Sequence, residues 1–161
     1  MKRYLAAGIL CLALSVAVLD AHVVVAPRES TAGAEQIYTV RIHNEAAVSS
    51  TMLELEVPAG IHVMQVASGD GFTFDVKKDG DRIVSIAWKQ EIKPKQFKSY
   101  TFTAHNPESG ALPWKAHQTL ADGSKIDWVG GQGAKQPASV TTIVPKGGAK
   151  AAPTADHEHN H

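Results

Sequence analysis

From His22 to Val144 the chain runs as short stretches in which apolar and polar residues alternate, rich in β-branched and aromatic side chains and broken at intervals by Gly, Pro, Asn and Asp. Alternation with a period of two puts every second side chain on one face of an extended strand, so each stretch predicts a strand with a buried face and a wet one. The predicted strands are His22 to Ala26, Gln36 to His43, Thr51 to Val57, Ile61 to Val66, Phe72 to Lys77, Arg82 to Trp88, Lys98 to His105, Trp114 to Leu120, Lys125 to Trp128 and Ser139 to Val144. Asp-Gly in Lys78-Asp79-Gly80-Asp81 and in Ala121-Asp122-Gly123-Ser124 predicts tight hairpins, because Gly readily takes the positive φ that such turns need. Pro58-Ala59-Gly60 ends one strand and reverses into the next. No stretch carries helical periodicity long enough to bury a face. Strands at this spacing predict an all-β fold, an antiparallel two-sheet sandwich of immunoglobulin or cupredoxin type.

The two ends break this pattern. Lys2 and Arg3 precede an almost unbroken apolar run from Leu5 to Leu19, and Leu19-Asp20-Ala21 ends in the small residue that a signal peptidase needs. Asp20 and His22 close the run short of the roughly 20 apolar residues that span a bilayer. The expectation is therefore export, with residues 1–21 removed as a signal peptide and His22 as the new first residue, in the periplasm or outside the cell. Beyond Pro145 the sequence Lys146-Gly147-Gly148-Ala149-Lys150-Ala151-Ala152-Pro153 is too poor in large apolar residues to order itself. Residues 22–145 thus form one sandwich domain, and 146–161 a disordered, histidine-containing tail.

Processing changes the composition in two ways that matter. The only cysteine, Cys11, lies in the apolar run, so the processed chain has no thiol for a disulfide or a thiolate metal site. Loss of Lys2, Arg3 and Asp20 leaves 14 basic and 15 acidic residues, a net charge of −1, which attracts neither nucleic acid nor an acidic membrane surface.

A histidine at a free N-terminus brings several nitrogen ligands on one residue. The α-amine, with a pKa near 7.7–8.0, and the imidazole, near 6.5, can both shed protons at neutral pH. Together with a deprotonated backbone amide they can lie in one plane around Cu(II), the geometry that ion prefers. The bland reading is that cleavage happens to fall before a histidine, but Val23-Val24-Val25-Ala26-Pro27 would pin that terminus in a sheet. His157, His159 and His161, interleaved with Glu158, form a second, weaker candidate that can chelate Cu(II), Ni(II) or Zn(II) without a pocket. His43, His62, His105 and His117 stand singly on strands or at their ends, where histidines are commonly exposed or hydrogen-bonded; any of them could complete a two-histidine site. The chain shows no glycine-rich phosphate loop, nucleophile elbow or HExxH pair, so it reads as a binder and not an enzyme.

His22-Val23-Val24-Val25-Ala26-Pro27, Ala32-Gly33, Tyr38-Thr39-Val40-Arg41-Ile42 and Asn44-Glu45 resemble the opening of the YcnI-like domain family of exported bacterial copper-binding proteins. The resemblance continues through Leu55-Glu56-Val57-Pro58-Ala59-Gly60-Ile61, Ile86-Ala87-Trp88, Ala121-Asp122-Gly123-Ser124, Trp128, Gly130 and Pro137-Ala138. It implies a β-sandwich holding Cu(II) in a single N-terminal histidine brace, with a carboxylate from the second strand and a tryptophan beside the metal. His22 matches the brace and Trp128 the tryptophan, although a late-strand tryptophan in a sandwich is also ordinary core. The side ligand falls on Gln36 when counted from Gly33, or on Glu35 if a bulge turns that residue inward. Phe72 stands where the family often has tryptophan, and fills an apolar slot. The implied role is a Cu(II) chaperone or buffer in copper homeostasis, with copper as ligand and copper-transport or copper-chaperone proteins as partners. The competing readings are a copper-dependent oxidative enzyme and a metal-free adhesive module.

Overall fold

The computed structural model describes residues 23–147; the expected signal peptide with His22, and the tail with His157, His159 and His161, lie outside the described residues. Twelve strands and no helix make up the described chain. They are β1 (Val23–Ala26), β2 (Glu29–Thr31), β3 (Glu35–His43), β4 (Ser50–Glu56), β5 (His62–Val66), β6 (Thr73–Asp79), β7 (Arg82–Ile92), β8 (Phe97–His105), β9 (Gly110–Trp114), β10 (Ala116–Leu120), β11 (Lys125–Trp128) and β12 (Ser139–Val144). A four-stranded sheet in the order β1-β3-β8-β5 opposes a five-stranded sheet in the order β11-β10-β4-β7-β6, and β2-β12-β9 form a small third sheet.

The alternation read from the sequence is what closes the sandwich. On β3 the buried set is Tyr38, Val40 and Ile42; on β4 it includes Leu53 and Leu55; on β7 it includes Ile86, Trp88 and Ile92. These faces meet around two aromatic groups. Trp88 stacks on Tyr100 with centroids 4.9 Å apart, and Tyr38 stacks on Phe102 at 5.3 Å with Trp114 tilted against both. Each such pair adds about 0.5–1.5 kcal/mol beyond the area it buries. Phe72 meets Tyr100 edge-on at 5.1 Å, so it does fill an apolar slot. Both Asp-Gly turns form: Gly80 (φ 60°) lies between the paired ends Asp79 and Arg82, and Gly123 (φ 83°) lets the Ser124 carbonyl accept from the Leu120 amide at 2.9 Å.

Two details depart from the strand assignment made on pattern alone. β2 was not foreseen, because Glu29-Ser30-Thr31 has no apolar alternation; it exists through parallel pairing with β12 and hydrogen bonds from Asn106, whose Nδ2 donates to Ser30 Oγ (2.7 Å) and to the Thr31 carbonyl (2.8 Å). The predicted strand beginning at Trp114 is two strands in different sheets. Trp114 ends β9 on the small sheet, the Lys115 carbonyl accepts from the Glu56 amide, and Ala116 starts β10 on the five-stranded sheet. Pro113 is tolerated because β9 is an edge strand.

Candidate metal centre

Antiparallel pairing of β1 with β3 sets Val23 opposite Ile42 and Ala26 opposite Thr39. The chain therefore enters β1 at the His43 end of β3. Near that end a cavity of about 270 Å³ is lined by His43, Glu45, Ala46, Gln118, Ile126, Trp128, Lys135 and Gln136. Trp128, at the end of β11 opposite Ala116, is 4% exposed and belongs to the core cluster while also forming part of the cavity wall.

Asn44 builds the loop that carries Glu45. Its side chain is fully buried; Nδ2 donates to the Val48 carbonyl (2.9 Å) and the Ile92 carbonyl (2.8 Å), while Oδ1 accepts from the Ala46 amide and from Gln118 Nε2, both at 3.2 Å. Its backbone is clamped as well, donating to the Gln96 carbonyl and accepting from the Lys95 amide at 2.7 Å. Lys95 adopts φ 67° in this turn, a left-handed conformation that costs a non-glycine residue about 1–2 kcal/mol. That conformation helps set the Lys95 carbonyl 3.3 Å from His43 Nε2, and the other ring nitrogen of His43 lies 3.1 Å from Glu45 Oε1. An imidazole and a carboxylate are thus already in contact beside the entry to β1.

The residues expected to serve as the side ligand are elsewhere. Glu35 and Gln36 sit at the far end of β3, paired with His105 and Ala104. Six residues separate Gln36 from Ile42, roughly 20 Å at about 3.4 Å per residue. No bulge interrupts the pairing of β3 with β8, so Glu35 stays on the exposed face and Gln36 on the inner one. The Gln36 amide is also occupied: Oε1 accepts from Ser30 Oγ (3.0 Å) and Nε2 donates to the Ile37 carbonyl (2.8 Å). Through Ser30 it joins Asn106 and the buried Tyr38 hydroxyl, which donates to Asn106 Oδ1 at 2.6 Å. By that register Glu35 and Gln36, expected as the side ligand, lie at the opposite end of β3 from Val23, and the carboxylate brought to the Val23 end of the sheet is Glu45. Nothing local marks Glu45 as such. The usable signal was Asn44-Glu45 directly after a strand that pairs antiparallel with the first one.

The other histidines separate. His62 and His105 face each other across β5 and β8. His117, on β10, is held between two carboxylates, with Nδ1 2.7 Å from Asp127 Oδ1 and Nε2 2.8 Å from Glu56 Oε1. Partial burial lowers its pKa, but these hydrogen bonds and the two charges outweigh that and raise it above the usual histidine value. Among the described residues no group of three or more His, Cys, Asp or Glu side chains is disposed to hold a metal ion.

Fold and cavity define an immunoglobulin-like sandwich with a histidine, a carboxylate and a tryptophan gathered where its first strand begins. Among solved structures, an uncharacterized protein from Nocardia farcinica with an immunoglobulin-like fold superposes with a TM-score of 0.67 at 21% identity, covering 76% of this chain and 97% of that one. A cohesin from Acetivibrio cellulolyticus superposes at 0.50 with 8% identity, over 76% of this chain and 98% of that one, a likeness of fold alone. Residues 22–145 match the family described as a domain of unknown function, DUF1775, and the chain belongs to that family. The YcnI-like resemblance read from the sequence is borne out. The copper-binding protein CutI of Bacillus subtilis is 34% identical over 128 residues, which cover 77% of this chain and 63% of that protein. This chain therefore spans less than two thirds of the length of the curated relative it matches.

Proposed function

We propose that this protein is an exported copper-binding protein that holds Cu(II) at its processed N-terminus and serves as a chaperone or buffer in copper homeostasis, in the periplasm or outside the cell. The observation that carries the reading is the pairing of Val23 with Ile42, which puts the start of β1 beside the cavity lined by His43, Glu45 and Trp128. Similarity to a protein named for copper binding supports the choice of metal. His22 supplies an amine and an imidazole, Glu45 the carboxylate, and the Trp128 indole flanks the ion. His43, already in contact with Glu45, is the second imidazole within reach of the same cavity.

Donors of this kind suit Cu(II), for which nitrogen and oxygen ligands in a tetragonal array are preferred, whereas Cu(I) favours thiolate and thioether. Both nitrogens of the terminal residue are free of protons for an appreciable fraction of the time near neutral pH. Copper is here the cargo, and the protein's part is to bind, orient and release it. The test is a Cu(II) titration of the processed protein followed by electron spin resonance, against the same chain with one residue added before His22. The tight site is lost in the extended chain; unchanged tight binding would reject the brace.

A further inference from the structure

A second pair of imidazoles stands at the other end of the same sheet. His62 on β5 and His105 on β8 are directly opposite in antiparallel register, and both are exposed. Directly opposed residues hold their Cβ atoms about 4.5–5.5 Å apart. Two imidazole nitrogens on one ion each stand about 2.0–2.1 Å from it and so about 3 Å from each other, which rings at that spacing reach by rotation about χ1 and χ2. Both line an open cavity of about 620 Å³ with Val63, Met64, Lys78, Asp81 and Ile83. Among the described residues neither ring has a hydrogen bond or an ion pair that would have to be broken.

Met64 adds a donor of another kind. The pairing of β5 with β8 shifts between Val63 and Gln65, so Met64 is the extra residue of a bulge. Its side chain is 53% exposed, which is unusual for so apolar a residue, and it forms part of the same cavity wall. A bulge commonly re-aims a side chain next to a functional site. Glu35 lies opposite His105 on its other side, without completing a three-ligand group among the described residues. Lys78 is the opposing term: its positive charge on the cavity wall weakens cation binding, while Asp81 on the same wall offsets it.

We infer that His62 and His105 form a second transition-metal subsite, binding a divalent ion such as Cu(II) or Zn(II) through two imidazoles, with the Met64 thioether on the same cavity wall as a further soft donor. It is remote from the cavity beside β1, since His105 pairs with Glu35 and Val23 with Ile42 at opposite ends of β3. The subsite is weaker than a brace because it supplies two ligands and leaves the rest to water.

The test is residue-resolved. Backbone amide spectra of the full processed chain are recorded while Cu(II) is added, and paramagnetic broadening is followed at Val63, Met64 and Ala104 separately from Val24, His43 and Glu45. Broadening at the first group is expected above one equivalent of copper, and Zn(II) is expected to shift the same amides. His62→Asn or His105→Asn weakens binding there by more than about tenfold, because losing a ligand costs more than the ~10–100-fold typical of an outer-shell partner. Unbroadened amides at Val63 and Ala104, or broadening there that persists when His62→Asn and His105→Asn are combined, would overturn the inference. Failure of the N-terminal centre is read independently, from the second group of amides. Both histidines are exposed, and metal-free spectra of the variants verify that the sheet is intact.

Discussion

Replacing Asn44 with alanine tests whether the loop carrying Glu45 is built as described. The side chain is fully buried and makes four hydrogen bonds, of which those with Ile92 O and Gln118 Nε2 lie in the interior. Alanine satisfies none of them. A buried polar group left without its partner costs about 1–3 kcal/mol, and here the Ile92 carbonyl and the Gln118 amide, itself 1% exposed, are both stranded. The groups on Val48 and Ala46 are partly open, so water replaces most of what they lose. The expected destabilisation is about 2–5 kcal/mol, a large part of the ~5–15 kcal/mol that holds a domain folded. Urea unfolding followed by tryptophan fluorescence measures it. Asn44→Asp separates the hydrogen bonds from simple loss of volume, because it keeps the shape but turns a carboxylate toward the Val48 and Ile92 carbonyls; it is expected to be at least as damaging. A loss below about 1 kcal/mol in Asn44→Ala, or an Asn44→Asp variant as stable as the parent, would refute the account.

Further outcomes follow from the register and from the charge pairs. Glu45→Gln weakens Cu(II) binding at the N-terminal centre, whereas Gln36→Ala leaves that affinity unchanged and instead lowers stability by about 1 kcal/mol through the lost Ser30 contact; calorimetric titration and urea unfolding of the two variants separate the roles, and the opposite assignment would restore Gln36 as a ligand. His117, clamped by Asp127 and Glu56, has a folded pKa above its unfolded value near 6.5. Its stabilisation is therefore complete below about pH 6.5 and is lost as pH rises through the folded pKa. Between pH 6 and 9 the wild type should lose stability relative to His117→Gln, and an NMR titration of the His117 ring with a midpoint at or below 6.5 would contradict this.

The all-β class and most strand positions were legible because alternation with a period of two is a local property. Tyr38, Val40 and Ile42 announce an inward face whatever they pack against, and Gly80 and Gly123 mark turns by a backbone freedom that other residues lack. Strands without such a pattern were not legible. Glu29-Ser30-Thr31 is a strand only because Asn106 and β12, more than 70 residues away in sequence, supply its hydrogen bonds.

The candidate centre divides along the same line. That a histidine at a free N-terminus would be a potential chelator, that Trp128 belongs to the apolar set, and that residues 22–161 carry no thiol all follow from residue identity and could be read without a fold. Which carboxylate lies at the end of the sheet where β1 begins depends on strand register, which the fold alone sets. Alternation tells which face a residue takes but carries no information on how far along the partner strand it falls. That distance is set by which backbone amides and carbonyls pair, and here they put Val23 beside Ile42 and His43, leaving Glu35 and Gln36 at the opposite end of the sheet beside His105 and Ala104.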